Sequence, residues 1–527
     1  MLQEPPVTLV QAWQRRRRWL TTPLALLALL VFLLGLAVAG LGVYVLWRLA
    51  QDRTPYHADA VEHFKYGSIG SEPESGLPYW IWQALPRLFP EAFGGRDDYA
   101  GFGFLYEQDE EGHRRDLPVG VARREVDGVE LVWLNCAVCH AGTWRASADA
   151  APQLVPAMPA NHLDLDRFFS FLLEAGADER LAPDSLLPAM RAAGAEIGPL
   201  DELVWRFYVI PRVREGLLQR RQRVLPLLAL QPAWGPGRVD TFNPYKLLFK
   251  GDRLDCASGG GDAHCLGEAE RIGAADFPAV FEQGPRQGMR LHWDGNNASL
   301  DERNLSAALG AGVTPETVDH AAIARVKDWL LGLRPPPSPY RPDPEAVERG
   351  RGLFMEACAD CHGYQGPKGY VFEGAYLGKV EPIAQVGTDP ARLDSYTPEF
   401  RAYQLAKLFA GTPYRFRHFT KTDGYANAPL DGLWLRAPYL HNGSVPTLAD
   451  LLEAPEARPA AFVRGLDVLD PARGGFVAPP CDPGVEPAAG TLCFDTGEPG
   501  NGKGGHRYGT GLGPAEKADL LAYLLTF

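Results

Sequence analysis

The chain has 527 residues, of which 46% are hydrophobic, and it carries a formal net charge of −13. Its length suggests about three domains, and its composition is that of a globular protein of enzyme size. The acidic balance argues against nucleic acid and anionic lipid as partners, and it suits a basic redox partner.

An uncharged apolar segment, Leu24–Trp47, lies near the N-terminus. As a helix its 24 residues would extend about 36 Å at ~1.5 Å per residue, which is enough to cross a bilayer. Arg15–Arg18 precede it, so the positive-inside rule predicts an inner-membrane anchor over residues 1–52, with a cytoplasmic N-terminus and a periplasmic bulk. Ala37–Gly40 also resembles a cleavage site, but the apolar run continues to Leu46, so we expect an uncleaved anchor.

A Cys-x-x-Cys-His motif occurs twice beyond this anchor. The two copies are Cys136, Cys139 and His140, and Cys358, Cys361 and His362. Two cysteines at this spacing can form thioethers with one haem, while the adjoining histidine coordinates its iron. A zinc knuckle or a redox cysteine pair is the alternative, but the repeated histidine in an exported chain favours haem. The sequence therefore predicts two covalently attached haem c groups.

The sequence around the first copy is irregular. Val126–Leu134 alternates like a strand that leads into the motif, and helical periodicity occurs over Leu163–Glu174 and Leu200–Arg221, the latter interrupted at Pro211. Loops rich in Gly, Pro and Asp fill much of the remainder. We therefore expect a mostly α fold with extensive irregular loops, in which two cytochrome c-type haem domains follow one transmembrane helix.

A proline-rich linker, residues 334–344, separates the predicted N-terminal haem domain, 53–333, from the C-terminal cytochrome c domain, 345–527. Its prolines favour extended backbone and lack N–H donors, so no helix should pass through it. The second domain begins with a helical pattern over residues 345–354 and ends with another over 514–525. Such helices bracket the haem loop of a cytochrome c domain.

The sixth iron ligands can be narrowed by elimination. A methionine serves in many small cytochromes c, but none of the five methionines follows Cys361, so the second haem is predicted to be bis-histidine. The later histidines are His418, His441 and His506. For the first haem, either the sixth position is open or one of six residues fills it. These are Met158, His162, Met190, His264, Met289 and His292.

Four cysteines lie outside the haem motifs. They form two pairs that are close in sequence, Cys256 with Cys265 and Cys481 with Cys493, within loop-like segments. In an oxidising compartment we expect both pairs to be disulfides.

Several segments are similar to one protein family. Pro438–Leu448 resembles the Pro-Tyr-x-His-x-Gly-Ser-x-x-Thr-Leu segment of bacterial diheme cytochrome c peroxidases, and 502–509 resembles the Gly-His-x-Tyr-Gly stretch of their rubber-oxygenase branch. The resemblance implies that His441 lines the haem surroundings and that His506 binds the second iron. The segments 66–70, 78–82, 292–297 and 302–308 are also similar to such proteins. The anchor and the lack of a methionine after Cys361 depart from the family.

The expected function is electron transfer or oxidoreductase chemistry by a membrane-anchored periplasmic diheme cytochrome c. The alternatives are reduction of H2O2 at the first haem, on His140, and O2-dependent oxygenation of an apolar substrate. The resemblance suggests Trp293 as a conduit between haems, although an aromatic residue there can simply pack in the core. The expected partner is a redox protein of the periplasm or membrane, quinone-linked proteins included.

Overall fold

The computed structural model describes residues 9–109, 111–250, 266–485 and 487–527. The predicted Cys256–Cys265 disulfide and the candidate ligand His264 lie outside the described residues. The fold is a mixture of helices and short strands and is 41% helical. The prediction of a mostly α fold is therefore only partly confirmed, because small sheets occur along the chain.

The helices account for most of the regular structure. In chain order they are α1 Leu9–Leu49, α2 Ala60–Tyr66, α3 Glu72–Ser75, α4 Tyr79–Leu88, α5 Cys136–Cys139, α6 Leu165–Ala175, α7 Pro183–Ala192, α8 Pro199–Val204, α9 Ile210–Leu228, α10 Asn243–Lys250, α11 Leu300–Gly310, α12 His320–Leu330, α13 Pro344–Ala357, α14 Ala359–His362, α15 Ile383–Val386, α16 Ala391–Ser395, α17 Pro398–Lys407, α18 Leu448–Leu451 and α19 Pro514–Leu524.

The strands are short. They are β1 Leu77–Pro78, β2 Val121–Val126, β3 Val129–Leu134, β4 Ala141–Trp144, β5 Gln153–Pro156, β6 Arg238–Val239, β7 Ala275–Asp276, β8 Tyr364–Gly366, β9 Gly369–Val371, β10 Val380–Pro382, β11 Gly424–Ala426, β12 Ala461–Arg464 and β13 Leu492–Asp495. One sheet has the order β1–β3–β2, and antiparallel pairs join β4 to β5, β6 to β7, β8 to β9, β10 to β11 and β12 to β13.

The chain divides into two compact units. One contains α1 and continues to Thr54, together with Arg124–Glu130, and the other contains Pro55–Arg123 and Leu131–Phe527. Both haem motifs and the proline-rich segment lie in the second unit. The domain boundaries predicted at the ends of that segment stay predictions.

The apolar part of α1 agrees with the predicted anchor. Pro23–Tyr44 comprises 22 residues with a mean hydropathy of 2.9, and by length and composition it can cross a membrane. Its orientation stays a prediction.

Of three elements predicted around the first motif, one forms nearly as expected and two differ from expectation. Val126–Leu134 is the turn and second strand of the β2–β3 hairpin, with Asp127 and Gly128 at φ +50° and +70°. Leu163–Glu174 corresponds to α6, nearly as predicted. The expected interruption near Pro211 is a π-helical turn, Trp205–Val209, between α8 and α9. Pro211 is the second residue of α9, directly after this turn, and its missing N–H and its ring are a common cause of such a local distortion in a continuing helix.

α13 and α19 cross closely beside the second motif. A Cβ on Gly350 would lie 1.9 Å from a backbone carbonyl oxygen of α19, so the crossing requires glycine. Next to it the Phe354 ring packs against Tyr523 and Phe527, at centroid distances of 5.2 and 5.1 Å. These are the two bracketing helices that the sequence predicts.

The described cysteines fall into two groups, one disulfide-bonded and one free. Cys481 and Cys493 form the predicted disulfide, with Cα atoms 5.8 Å apart. The four cysteines of the haem motifs form no disulfide, which leaves their thiols available for thioether bonds.

Candidate functional site

Polar and steric contacts fix the backbone of the first motif. Asn135 caps α5, since its side chain accepts from the Ala137 N–H at 2.9 Å and donates to the Gly67 carbonyl at 3.0 Å. Gly120 has φ +89°, and a Cβ there would lie 2.3 Å from the backbone of Val138. Only glycine allows this approach, so the motif is held from both sides.

His140 is oriented for metal binding. Its Nδ1 lies 2.9 Å from the Pro278 carbonyl oxygen, to which it donates, so Nε2 keeps its lone pair. Burial lowers the pKa of His140 to about 4. The ring is therefore neutral at physiological pH, which is the form that coordinates iron.

The first motif opens into a large cavity. Cys136, Cys139 and His140 line a space of about 850 Å³, at the upper end of the usual range for ligand sites, about 300–1,000 Å³. Apolar side chains of α6 and α9, such as Leu172 and Leu217, line the same space. Two thiols, a neutral imidazole and apolar walls of this extent fit a covalently bound haem.

Two of the proposed sixth ligands reach this cavity. Met289 and His292 line it, whereas Met158 and Met190 are buried in the surrounding core. His292 has φ +65°, and its Nδ1 lies 2.6 Å from the Asn296 side-chain oxygen, which leaves Nε2 free. Burial lowers the pKa of His292 to about 4, so this ring is also neutral.

His162 has other partners. Its Nε2 lies 2.7 Å from the Thr143 hydroxyl and its Nδ1 lies 2.9 Å from the Gly465 carbonyl oxygen. Asp467 lies 3.4 Å from the same Nε2. With both ring nitrogens hydrogen-bonded, this arrangement favours a structural role over iron ligation.

The second motif brings two histidine rings close together, with their planes tilted by 44°. His362 donates from Nδ1 to the Ala428 carbonyl at 2.8 Å, which leaves its Nε2 free, and its ring centre lies 6.3 Å from that of His506. Histidine–metal bonds of about 2.0–2.1 Å, with ring centres roughly 1.2 Å beyond the nitrogens, would separate two ligating rings by about 6.4 Å. Burial, and then the neighbouring His362, lower the pKa of His506 to about 3, so this ring is neutral as well.

The loop before His506 is held by one buried arginine. Arg458 is 2% exposed, and it donates to the carbonyls of Lys503, Gly505 and His506 at 2.8, 2.9 and 3.0 Å. His506 itself has φ +45°, and its N–H donates to the Val386 carbonyl at 2.7 Å. The loop thus holds an unfavourable backbone conformation that directs the ring towards His362.

The two other late histidines have different surroundings. The buried His441 ring stacks on Tyr425 with a centroid distance of 4.0 Å, and burial lowers its pKa well below the usual range. The following Asn442 donates to the carbonyls of residues 500 and 502, in the loop that leads to His506. His418 lies 2.8 Å from a carboxylate oxygen of Glu302.

A short segment, residues 426–428, contacts both motif sites. Ala426 and Ala428 line the first cavity, and the Ala428 carbonyl accepts from His362 of the second motif. Trp293 also lines the cavity, its indole N–H donates to the Asp276 carbonyl at 2.8 Å, and its own carbonyl accepts from Ala426 at 2.8 Å. The sequence could not reveal these carbonyl contacts, since every residue carries the same group.

Two comparisons with known proteins found sequences similar to this chain. Residues 424–463 match the family model of RoxA-like, cytochrome c-like domains, and the matched segment includes Tyr425, Ala428, His441 and Arg458. The uncharacterized protein y4iM of Sinorhizobium fredii is 32% identical over 249 residues, covering 44% of this chain and 56% of that protein. The uncharacterized protein y4iJ of the same organism is 29% identical over 260 residues, covering 38% and 42%.

The chain spans about half the length of these curated relatives. The domain match supports a cytochrome c of the RoxA-like branch, which implies covalently bound haem c and suggests a haem-based oxidoreductase.

Proposed function

We propose that this chain is a membrane-anchored periplasmic diheme cytochrome c that acts as an oxidoreductase. The observation that carries the proposal is the repeated geometry of the two motifs. In each, the histidine Nδ1 faces a backbone carbonyl, that of Pro278 or Ala428, so Nε2 is left for iron. A bound haem c supplies one-electron redox chemistry, and it binds O2 or peroxide where its sixth position is open.

The two centres differ in what faces them. His506 stands opposite His362 at ligating distance, which favours a closed, six-coordinate electron-transfer site. His140 instead faces a cavity that could admit a substrate beside the cofactor. We therefore assign reaction with an external oxidant to the first centre, with His362 and His506 holding the iron of the second.

Residues 426–428, together with Trp293, contact both of these centres. Trp293 lies in the wall of the first cavity and is hydrogen-bonded to Ala426, two residues before the carbonyl that holds His362. This arrangement supports Trp293 as the inter-haem conduit. A periplasmic or membrane redox protein, quinone-linked proteins included, would exchange electrons with the second centre.

The cavity favours a catalyst over a pure electron carrier. Its apolar walls suit O2-dependent attack on an apolar substrate, and the neutral His292 in the same cavity suits proton transfer during reduction of H2O2. Peroxide reduction is therefore the second candidate reaction.

Ligand binding in two single-haem variants tests the proposal. The C136A/C139A variant should lose the spectral response of the reduced protein to CO and of the oxidised protein to H2O2. The matched C358A/C361A variant should keep both responses. A response that persists only in C136A/C139A would assign reaction with ligands to the second haem. Spectra of the intact protein that do not change with CO or H2O2 would leave electron transfer as the only remaining function.

A further inference from the structure

The charged side chains in the otherwise apolar wall of the first cavity are mostly cationic, although the whole chain is acidic. Among the described residues that line it, seven are arginines and three carry carboxylates. Two of those carboxylates are paired with other cations, Asp240 with Lys246 at 2.7 Å and Asp276 with Arg464 at 2.8 Å. The net charge of −13 is therefore reversed locally.

Two of these arginines form a cluster around a single carboxylate. Arg286 and Arg436 both donate to the same oxygen of Asp431, Arg436 at 2.9 Å. The Asp431 side chain is 0% exposed, and those of Arg286 and Arg436 are 10% and 15% exposed. The nearby carboxylate of Glu282 lies 3.6 Å from another arginine, Arg334. The cluster is thus left with an excess of positive charge.

Arg303 is an electrostatic neighbour of Arg286 in this cluster, and its own hydrogen-bond partners are neutral. It donates to the side-chain oxygens of Gln283 at 2.7 Å and Asn304 at 2.9 Å, and no described carboxylate pairs with it. Burial, and then the neighbouring Arg286, lower the pKa of Arg303 to about 10, so it remains charged at neutral pH. A buried cation without a counter-charge is costly, whereas an anion in the cavity would compensate it.

We propose that Arg286, Arg303 and Arg436 form an anion site in the cavity wall that takes a carboxylate or a small inorganic anion. The guanidinium fork suits carboxylates, which it can bind with two hydrogen bonds. The carboxylate could belong to the haem that the proposed function places in this cavity, or to a free anionic ligand. If the carboxylate is that of the haem, the anion site depends on the proposed function. If it belongs to a free ligand, the site does not depend on it.

Substitution of Arg303 in the full-length, haem-loaded protein tests the site. R303Q removes the charge and R303K retains it. R220Q is the matched control, since Arg220 also lines the cavity but pairs with Glu74 at 3.8 Å and is 44% exposed. The measurements are azide and CO titrations and the midpoint potential of the first haem between pH 5 and 9. Intact mass confirms both haems first, so loss of haem is distinguished from loss of the anion site.

If a free anion occupies the site, R303Q should weaken azide binding at least about tenfold, as expected for a lost hydrogen bond to a charged group. Binding of neutral CO should not change. If the haem carboxylates occupy it, azide binding should persist while the midpoint potential falls and becomes pH-dependent. R303K should retain most of the azide affinity in the first case and most of the midpoint potential in the second. The proposal is overturned if R303Q matches R220Q in azide affinity and in potential.

Discussion

The loop that presents His506 makes one substitution especially informative, Gly505→Ala. Gly505 has φ +71°, and an added Cβ would lie 2.3–2.4 Å from three backbone atoms of residues 386–388. A left-handed conformation costs a residue with a Cβ about 1–2 kcal/mol, and overpacking against rigid neighbours typically costs about 1–3 kcal/mol more. We therefore expect a loss of about 2–5 kcal/mol in the free energy of unfolding, with His506 displaced from His362.

The adjacent Gly504→Ala is the control. A Cβ at Gly504 meets only one atom, the Gly387 carbonyl oxygen at 3.4 Å, which is an ordinary contact. Guanidinium unfolding should place Gly504→Ala close to the wild type and Gly505→Ala well below it. Electron paramagnetic resonance should show that only Gly505→Ala converts part of the low-spin signal to high spin. Equal stability and equal low-spin signal in the two variants would show that the conformation of Gly505 does not position His506.

The remaining predictions concern ligation and acid stability. His506→Ala should make the second haem high-spin, because His506 lies beside His362. His441→Ala should leave that haem low-spin, because the His441 ring stacks on Tyr425. Visible and electron paramagnetic resonance spectra distinguish these outcomes, and the reverse pattern would make His441 the ligand. Burial alone would raise the pKa of Asp467, but hydrogen bonds from His162 and Arg145 outweigh it and hold that pKa below its usual range. Its stabilisation is therefore complete above about pH 3.9, the usual pKa of an unfolded aspartate, and is lost as the pH falls through the lower folded value. Asp467→Asn should flatten the pH dependence of the free energy of unfolding below about pH 3.9. An unchanged profile would show that the ionised Asp467 carboxylate does not stabilise the fold.

The parts of the fold that depend on local pattern could be predicted from the sequence. The apolar segment of α1, the helices on either side of the second motif and the Cys481–Cys493 disulfide all follow from composition, periodicity or spacing. The β2–β3 hairpin was missed because the predicted strand, Val126–Leu134, ran through the turn and left out nearly all of β2, although Asp127-Gly128 is a common two-residue turn.

Features that depend on long-range contacts could not be predicted in this way. The carbonyls of Pro278 and Ala428 that orient the two motif histidines lie 138 and 66 residues from them in sequence, and a backbone carbonyl has no sequence signature. Arg303 stands in a segment noted for its family resemblance, but its lack of a carboxylate partner emerges only from the folded contacts. His162 looked available as a ligand because its hydrogen bonds to Thr143 and Gly465 form in three dimensions.

If the proposed function is right, each Cys-x-x-Cys-His motif holds one covalent haem. Intact-mass spectrometry combined with a haemochrome assay, on protein made with a c-type maturation system, measures this directly. We expect two haems in the wild type, one in C136A/C139A, one in C358A/C361A and none when all four cysteines are replaced. A wild type that carries one haem or none would contradict this expectation.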